Sequence, residues 1–377
     1  MSETFIISAV RTPVGIGKPT GALASLTPVN LSALILQESL RRAKVKAHQV
    51  EDVVWGCVTQ MGDQGANLAR LSLLKAGFPV EVPGVTLNRM CGSSQQAVHF
   101  ASQAILSGDM DIVIAGGTEM MSHQPIGNDW PEKWPDDFPY PLVHQGISAE
   151  MVAEKWELSR EELDDFAYSS HVKAMQAIQH GHFNEQILNI TLPDGDVVKQ
   201  DEGVSIPPDR NKIGTLKTVF KEDGVITAGN ASQISDGAAA LVLASARAVG
   251  RYNLTPKARL VGRVVIGSDP VLMLDGPIQA TRKALERIGL GIEDIDVFEV
   301  NEAFASVPLA WLKELHPDPD RLNPNGGAIA LGHPLGATGA VLMTKLLYEL
   351  ERIGGKYGLQ TMCIGHGMAT ATIIERL

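Results

Sequence analysis

Glu51-Asp-Val-Val-Trp-Gly-Cys-Val58 and Glu293-Asp-Ile-Asp-Val-Phe-Glu-Val300 are two copies of one pattern, an acidic turn followed by a short apolar run. A short apolar run with this flank is typical of a buried strand. The offset between the two copies is 242 residues. An internal repeat of this kind predicts two structural units with the same plan.

The same offset carries Cys91 onto His333. Val85-Thr-Leu87 predicts the end of a strand, and Gly92-Ser-Ser94 predicts the start of a helix. In the second copy, the segment from Pro334 opens a helix that is predicted to run to about residue 352. Both halves alternate strands with helices, which predicts parallel βαβ units.

The repeat divides the chain into three parts, and the predicted fold class is α/β. The two similar halves are predicted at residues 1–120 and 258–377. Residues 121–257 differ from both halves and are predicted to form a loop or lid domain before the chain returns to the N-terminal half. Within this part, Ser159 and Glu162 have the spacing of a capping box, and Gly181 is a plausible end of the helix that follows.

The composition excludes several classes of protein. The net charge is −11 over 377 residues, which argues against a surface for nucleic acid or anionic membrane. Three scattered cysteines are too few for a disulfide framework. No uncharged apolar stretch reaches the length of a membrane span. We therefore expect a soluble, cytoplasmic enzyme.

Cys91 is the candidate nucleophile, although a lone cysteine is more often a small buried apolar residue. Cys57, inside a predicted strand, fits that ordinary role. Cys91 differs because small residues and a helix start follow it. The helix dipole and an imidazole from His333 are both expected to lower the pKa of its thiol.

Three further motifs lie where predicted strands end. Residues 326–339 contain five glycines around His333, which suggests close approach of the backbone to a ligand. No lysine follows in the Walker arrangement, so a phosphate loop is disfavoured. Asn301-Glu-Ala-Phe304 and Cys363-Ile-Gly-His-Gly-Met368 also follow predicted strands. Ligand sites gather at the carboxyl ends of parallel strands.

These motifs together resemble the thiolase family, from about residue 5 to the C-terminus. The matching blocks are Val10–Gly15, Asn88–Ser94, Thr227–Ser232, Asp236–Ala239, Asn301–Phe304, Gly326–Gly339 and Cys363–Met368. The resemblance implies a thiolase-like fold, with mixed sheets in α/β/α/β/α layers and an inserted loop domain. It also implies acyl transfer to or from coenzyme A, with Claisen condensation or thiolytic cleavage of a 3-ketoacyl-CoA.

The resemblance implies a role for each catalytic candidate. Cys91, activated by His333, becomes acylated, and Cys363 acts as acid and base at the α-carbon of acetyl-CoA. Asn301 holds a water that forms one oxyanion site with His333. The backbone N–H groups of Cys91 and Gly365 form the other.

Other residues are implied to bind the substrate. Those expected at the pantetheine and acyl groups are His144, Phe220, Ala228, Ser232, Ala303 and Phe304. Arg210 and Lys212 are candidates for the coenzyme A phosphates, although they match the family less clearly and a solvated surface charge is equally consistent. Acyl-CoA, acetyl-CoA and CoA are the expected partners, with no metal and no bound cofactor. A homodimer or homotetramer is expected.

Two departures from the family pattern affect the pocket. His366 stands where the family usually has glycine, so it could narrow the acyl pocket, carry protons or point away. Gln145 stands where short-chain thiolases often have methionine, which puts a preference for short acyl groups in doubt.

Alternative functions remain at this point. A decarboxylating condensing enzyme of the ketoacyl synthase type shares the two-half plan, but it normally uses two histidines and no second cysteine, so Cys363 argues against it. A protein that only binds acyl-CoA or a partner is the non-enzymatic alternative. A metal site at Cys363 and His366 has only two nearby ligands, whereas structural zinc sites need four.

Overall fold

A computed structural model describes residues 3–377, which contain twelve strands and eleven α-helices. The strands are β1 (Thr4–Arg11), β2 (Gly15–Ile16), β3 (Asp52–Gly56), β4 (Gly84–Leu87), β5 (Ile112–Met120), β6 (Ile190–Thr191), β7 (Val197–Val198), β8 (Ser235–Ser245), β9 (Ala258–Gly267), β10 (Val297–Val300), β11 (Tyr357–Ile364) and β12 (Met368–Arg376). The helices are α1 (Pro28–Ala43), α2 (Leu68–Lys75), α3 (Ser93–Ser107), α4 (Gln145–Lys155), α5 (Arg160–Gln179), α6 (Arg210–Gly214), α7 (Ala246–Tyr252), α8 (Gly276–Ile288), α9 (Ser306–Leu315), α10 (Ala328–Leu331) and α11 (Leu335–Ile353).

The main sheet consists of two half-sheets with a related strand order, because β10, β11, β12 and β9 correspond to β3, β5, β8 and β1, and β4 is an additional edge strand. The order is β10-β11-β12-β9 in one half and, continuing, β1-β8-β5-β3-β4 in the other. The halves meet where β1 pairs with β9 through only two residue pairs, Phe5 with Arg259 and Ile6 with Ala258. Parallel pairs join β3 to β4 and β5, and β10 to β11, whereas β5 and β8 are antiparallel. The predicted mixed α/β sheets are confirmed.

Helices α3 and α11 form the central layer between the half-sheets. Their buried side chains, such as Ala101 and Leu347, share one apolar cluster with Val113 of one half-sheet and Leu260 of the other. A second cluster packs α1 and α2 on the outer face of the N-terminal half, and a third packs α8 and α9 on the outer face of the C-terminal half. This is the layered packing that the resemblance implied.

The termini of these helices follow the local sequence. Gly108 and Gly354 end α3 and α11 in the left-handed conformation, which glycine adopts without steric cost. The Ser159–Glu162 capping box is present at the start of α5, and Gly181 at φ 72° follows its end. Both local predictions are confirmed.

The glycine-rich segment 326–339 has a different explanation from the predicted approach to a ligand. A Cβ on Gly339 would lie 2.3 Å from the backbone nitrogen of Gln95, and one on Gly336 would lie 2.7 Å from the Cα of Cys57. These glycines therefore allow α11 to approach the backbone of the N-terminal half. Close contact between the halves, rather than a bound ligand, accounts for Gly336 and Gly339.

Within the described part of the chain, no helix is long and apolar enough to cross a membrane.

Candidate active site

A cavity of about 450 Å³ lies where the two halves and the middle segment meet. Its wall consists of Val58, Thr59, Met90, Cys91, Ile126, Gly127, Asp129, Trp130, Val143, His144, Gln145, Phe220, Ala231, Ser232, Ile234, Met273, Ala303, Phe304, His333, Leu335, Gly365 and His366. We call this space the thiol cavity, because the sulfur of Cys91 faces it. Its size is within the ordinary range for a small-molecule site.

Cys91 reaches the thiol cavity from the N-terminal half. It lies between the end of β4 and the start of α3, as predicted, and only 4 % of its surface is exposed. The backbone N–H groups of Gly365 and of Cys91 itself, and the side-chain amide of Gln145, act to lower the pKa of its thiol. The oxyanion role of the two backbone N–H groups stays a prediction.

His333 reaches the same cavity from the C-terminal half, and it is 4 % exposed. It was predicted to follow a strand, and this prediction is wrong because the short helix α10 precedes it and α11 follows. Its backbone N–H donates to the Ser235 hydroxyl at 3.0 Å. The pseudo-symmetry still places Cys91 and His333 on one cavity, as the 242-residue offset predicted.

Thr338 defines the tautomer of His333. The Thr338 hydroxyl donates to the carbonyl oxygen of Pro334 at 2.8 Å, so it accepts from Nδ1–H of His333 at 2.6 Å. Nε2 of His333 therefore carries the lone pair that can take a proton. The side-chain nitrogen of Asn301 lies 3.3 Å from Nε2.

Cys363 and Asn301 lie behind the wall of the thiol cavity. Cys363 is the penultimate residue of β11, and Asn301 directly follows β10. Both are buried. Oδ1 of Asn301 has no hydrogen-bond partner among residues 3–377.

Burial dominates the protonation of these groups. It raises the pKa of the Cys91 thiol to about 11, although the three N–H donors act in the opposite direction. Burial also lowers the pKa of His333 to about 4. The expected lowering of the Cys91 pKa is wrong for the ligand-free site, because desolvation of a thiolate outweighs the helix terminus and a neutral imidazole. Burial, and then the charge of Cys91, raise the pKa of Cys363.

Aromatic residues form the wall nearest the middle segment. The His144 ring stacks on Phe220 with centroids 5.0 Å apart, and Phe220 meets Phe304 edge-on at 6.0 Å. The Ser232 N–H donates to the carbonyl oxygen of Ala303 at 2.9 Å. These five residues, predicted from the resemblance to bind the pantetheine and acyl groups, all lie on the cavity wall.

Three of the predicted substrate-binding residues lie elsewhere. Ala228 and Lys212 are exposed and outside the cavity wall. Arg210 is also outside it, and its guanidinium bonds the Asp165 carboxylate at 2.5 Å. Coenzyme A binding by these residues stays a prediction.

His366 faces the thiol cavity in a left-handed conformation, with φ 65°. This backbone angle favours glycine, which explains why the family pattern has one there. The imidazole meets Trp134 edge-on at 5.9 Å, and Trp134 meets Trp130 at 6.3 Å. Of the three roles left open for His366, pointing away from the pocket is excluded.

Several residues of the site were missed by sequence reasoning. Thr338 orients His333, and Gln145 lies on the cavity wall and acts to lower the pKa of the Cys91 thiol. Glu119, at the end of β5, accepts from the N–H groups of Val58 and Gly336, both at 2.8 Å, and so ties the cavity wall to the start of α11. The family block containing Thr338 was the available signal, whereas Gln145 was noted only as a departure.

The thiolase N-terminal domain matches residues 4–247, and the thiolase C-terminal domain matches residues 254–376. The chain belongs to the thiolase family. Thiolases act on coenzyme A thioesters without a metal cofactor, and this thiolase is an acyltransferase of coenzyme A metabolism. Within residues 3–377, no group of three or more histidine, cysteine, aspartate and glutamate side chains is placed to hold a metal ion.

Curated relatives of this thiolase carry several substrate names. A steroid 3-ketoacyl-CoA thiolase of Mycobacterium tuberculosis is 49% identical over all of this chain and 95% of its own length. A 3-oxoadipyl-CoA/3-oxo-5,6-dehydrosuberyl-CoA thiolase of Escherichia coli is 43% identical, with both chains fully covered. The crystal structure of the acetyl-CoA acetyltransferase of Bacillus anthracis superposes with a TM-score of 0.93, at 39% identity, over 100% of this chain and 99% of that one.

This membership confirms the predicted thiolase activity, in which acyl groups pass to or from coenzyme A with cleavage or formation of a carbon–carbon bond. It excludes the two alternative functions considered from the sequence, a decarboxylating condensing enzyme of the ketoacyl synthase type and a protein that only binds acyl-CoA or a partner. It also confirms the predicted fold.

Proposed function

We propose that this thiolase cleaves 3-ketoacyl-CoA through an acyl group carried on Cys91, with His333 as its base and Cys363 as the acid and base at the α-carbon. One observation carries this proposal. Cys91 lies on one cavity with His333, whose Nε2 is free to take a proton, and the backbone N–H groups of Gly365 and of Cys91 itself act to lower the thiol pKa. A thiol with a neighbouring base and preorganised donors suits nucleophilic catalysis.

The reaction balances with these groups alone. His333 takes the proton of Cys91, the sulfur attacks the 3-keto carbon, and the bond between the α- and β-carbons breaks. The Cys363 thiol protonates the α-carbon of the departing enolate, which gives acetyl-CoA and leaves Cys363 as a thiolate. The Cys363 thiolate then removes the proton of incoming CoA, whose sulfur attacks the acyl-Cys91 thioester. Cys91 leaves as a thiolate and recovers its proton from His333.

Two oxyanion sites accompany these steps. The backbone N–H groups of Cys91 and Gly365 stabilise the oxyanion of one, because both act on the Cys91 thiol, where the acyl group is held. A water held by Asn301, together with His333, forms the other. The buried Oδ1 of Asn301, which lacks a partner among the described residues, supports this assignment.

The acyl group proposed for this enzyme is larger than the acetoacetyl group. The thiol cavity extends past Cys91 to Val58, Ile126 and Trp130, so apolar surface is available beyond the thioester. The 49% identical relative is named for a steroid-derived 3-ketoacyl-CoA. Branched or ring-derived 3-ketoacyl-CoAs in a β-oxidation sequence are therefore the proposed substrates.

Residues 121–257 are proposed to form the loop domain that binds coenzyme A, between halves at 1–120 and 258–377. An apolar cluster in this segment, which includes Ala149, Leu163 and Ile226, packs against Phe304 beside the cavity. The predicted cytoplasmic location is retained as a proposal, supported by three cysteines that are all unpaired.

A homodimer or homotetramer is also proposed. The edge strand β4 carries Val85 with 46 % of its surface exposed, and the adjacent helix α2 exposes Leu71 and Leu74. An apolar sheet edge of this kind is usually covered by a partner. Light scattering of the purified protein gives the mass directly, and a monomer at micromolar concentration would contradict this proposal.

Trapping of the acyl-enzyme tests the catalytic roles. The Cys363→Ala variant is expected not to turn over a 3-ketoacyl-CoA. Mass spectrometry of the same variant after treatment with acetyl-CoA is expected to show that Cys91 is still acetylated. Cys91→Ala is expected to lose both acylation and turnover. Cys57→Ala is the matched control, since Cys57 is buried outside the cavity wall and is expected to retain turnover.

The substrate proposal is tested with a thiolysis panel of increasing chain length and branching. We expect kcat/KM to be higher for branched and ring-bearing 3-ketoacyl-CoAs than for acetoacetyl-CoA. Turnover of acetoacetyl-CoA alone would mark a short-chain enzyme, and full activity of Cys91→Ala would overturn the mechanism.

A further inference from the structure

Glu302 directly follows Asn301, but it is fully buried and is not part of the wall of the thiol cavity. Its carboxylate accepts three hydrogen bonds from three different segments of the chain. Oε1 accepts from the side-chain amide of Asn323 at 2.8 Å. Oε2 accepts from the Ser170 hydroxyl at 2.7 Å and from the backbone N–H of Ile329 at 3.2 Å. Glu302 is therefore the centre of a buried network behind the cavity.

One part of this network holds the backbone next to Asn301. Oδ1 of Asn323 accepts from the N–H of Val300 at 2.9 Å, and Nδ2 of Asn323 donates to the carbonyl oxygen of Val300 at 2.9 Å. The same Nδ2 donates to Glu302. The residue before Asn301 and the residue after it are thus bound to one side-chain amide. This arrangement fixes the backbone from which the Asn301 side chain extends.

The other part of the network holds the segment that leads to His333. Glu302 accepts from Ile329 of the short helix α10, which ends two residues before the histidine. Ser170 of α5 donates to Glu302 and accepts from the N–H of Gly327 at 3.1 Å. A Cβ on Gly327 would lie 2.2 Å from Cδ of Glu302. This glycine therefore allows the carboxylate to reach the backbone of α10.

We propose that Glu302 is a positioning residue that fixes the Asn301 side chain relative to His333. This inference rests on the proposed role of Asn301 and His333 as one oxyanion site. Nδ2 of Asn301 lies 3.3 Å from Nε2 of His333, although the two residues are 32 positions apart in the chain. The Glu302 carboxylate joins the two segments that carry them. A misplacement of about 1 Å at such groups lowers a reaction rate by about a hundredfold.

Stabilisation of the fold alone is the competing explanation for this network. A buried donor that loses its acceptor costs free energy wherever it lies. The two explanations differ in how a change at Glu302 depends on Asn301. A residue that acts through Asn301 loses its effect on kcat once the Asn301 side chain is removed, because the two changes are then coupled. A residue that only stabilises the fold keeps the same effect on kcat.

The experiment is a double-mutant cycle of Glu302→Gln and Asn301→Ala, in which steady-state thiolysis of a 3-ketoacyl-CoA is measured for each variant. Glu302→Gln keeps the size of the side chain but replaces one acceptor oxygen with an NH2 group, so at least one donor loses its acceptor. We expect kcat to fall about tenfold, while KM changes by less than about twofold. In the Asn301→Ala background, we expect the same substitution to lower kcat by less than about twofold.

Urea denaturation of the same variants separates stability from positioning. The hydrogen bonds of the Glu302 carboxylate do not involve the Asn301 side chain. We therefore expect Glu302→Gln to shift the urea midpoint equally in both backgrounds, although its effect on kcat differs between them.

Glu349→Gln is the matched control for the loss of a buried carboxylate. Glu349 accepts from the side chains of Asn325 at 2.8 Å and of Arg352 at 2.6 Å, so its contacts are with neither Asn301 nor α10. We expect this variant to keep kcat within about twofold of the wild type. Ser170→Ala is the milder variant, since it removes only the hydroxyl between Glu302 and Gly327. We expect it to lower kcat about threefold, and only where Asn301 is present.

The outcomes separate this inference from the proposed function. If Asn301→Ala keeps the wild-type kcat, the oxyanion role proposed for Asn301 fails, and the inference fails with it. If Asn301→Ala lowers kcat but Glu302→Gln lowers it by the same factor in both backgrounds, only the inference is overturned. A wild-type kcat in Glu302→Gln overturns it equally. If Glu302→Gln does not fold, Ser170→Ala in the two backgrounds gives the same comparison with the same criteria.

Discussion

Nδ1 of His333 lies 2.6 Å from the hydroxyl oxygen of Thr338, one turn into the helix that begins beside the histidine. Because this hydroxyl donates to Pro334, it holds the imidazole in the tautomer with a free Nε2. Thr338→Val removes the acceptor and keeps the shape. We expect kcat to fall about tenfold or more, since a general base in the wrong tautomer cannot take the thiol proton.

Thr338→Ser is the matched control, because serine retains the hydroxyl. It is expected to keep kcat within about threefold of the wild type. Equal losses in both variants would assign the effect to packing rather than to the hydrogen bond.

The pH dependence of the free enzyme follows from the two perturbed groups. With the pKa of Cys91 at about 11 and that of His333 at about 4, the neutral thiol and neutral imidazole are the main species near neutral pH. The alkylation rate of Cys91 is therefore expected to rise steadily from about pH 6 to about pH 9, because the thiolate fraction rises. A plateau below pH 7 would instead indicate a stable thiolate–imidazolium pair.

His333 can act as a base only while its imidazole is unprotonated. We therefore expect acylation of Cys91 to slow only as the pH falls toward the His333 pKa of about 4. Acetylation of Cys91 by acetyl-CoA, measured in a single turnover, should keep its rate at about pH 5.5 better than a base of ordinary histidine pKa would allow. A midpoint near pH 6.5 for this step would contradict the effect of burial.

Glu119 is a buried carboxylate between the halves. Its Oε2 accepts from the N–H groups of Val58 and Gly336, and its Oε1 accepts from the side chain of Gln64 at 2.9 Å. In Glu119→Gln, one carboxylate oxygen is replaced by an NH2 group. This group cannot accept a hydrogen bond from the N–H donors that face it. We expect the free energy of unfolding to fall by about 2 kcal/mol, measured by urea denaturation. An unchanged stability would show that the two N–H groups find other acceptors.

His366 combines an unfavourable backbone angle with an aromatic contact. His366→Gly removes the strain at φ 65° and also the edge contact with Trp134. The two effects oppose each other, so we expect the unfolding free energy to change by less than about 1 kcal/mol. The acyl side of the cavity widens, so kcat/KM for bulky substrates should rise relative to acetoacetyl-CoA.

His366→Ala is the control that keeps the strained backbone angle and removes the ring. It should be less stable than His366→Gly and should show the same shift in substrate preference. Tryptophan fluorescence of both variants reports the loss of the Trp134 contact.

The repeat predicted the juxtaposition of Cys91 and His333, because pseudo-symmetry relates equivalent positions whatever lies between them. It did not predict α10 before His333, since four apolar and small residues have no periodicity that separates a helix turn from a strand. The local signals of capping and glycine ends predicted α3, α5 and α11 well, because these depend only on near neighbours.

The protonation of the site was beyond the sequence. The helix start beside Cys91 suggested a lowered pKa, whereas the depth of burial, which a sequence does not give, raises it. Gln145 was missed for a similar reason. It is far from Cys91 along the chain, and only the packing of α4 against Phe220 brings both residues to one cavity.

Helix α3 begins just after Cys91 in the N-terminal half. It packs against α11 of the C-terminal half, which begins just after His333. A ribosome-bound chain that has folded only its first half therefore holds Cys91 without His333, Asn301 or Cys363. Such an intermediate has a thiol but no base and no acid for the carbon atom. With the roles proposed for these residues, chemistry on coenzyme A thioesters begins only after the second half has been synthesised and has docked, so turnover itself would report complete synthesis and assembly.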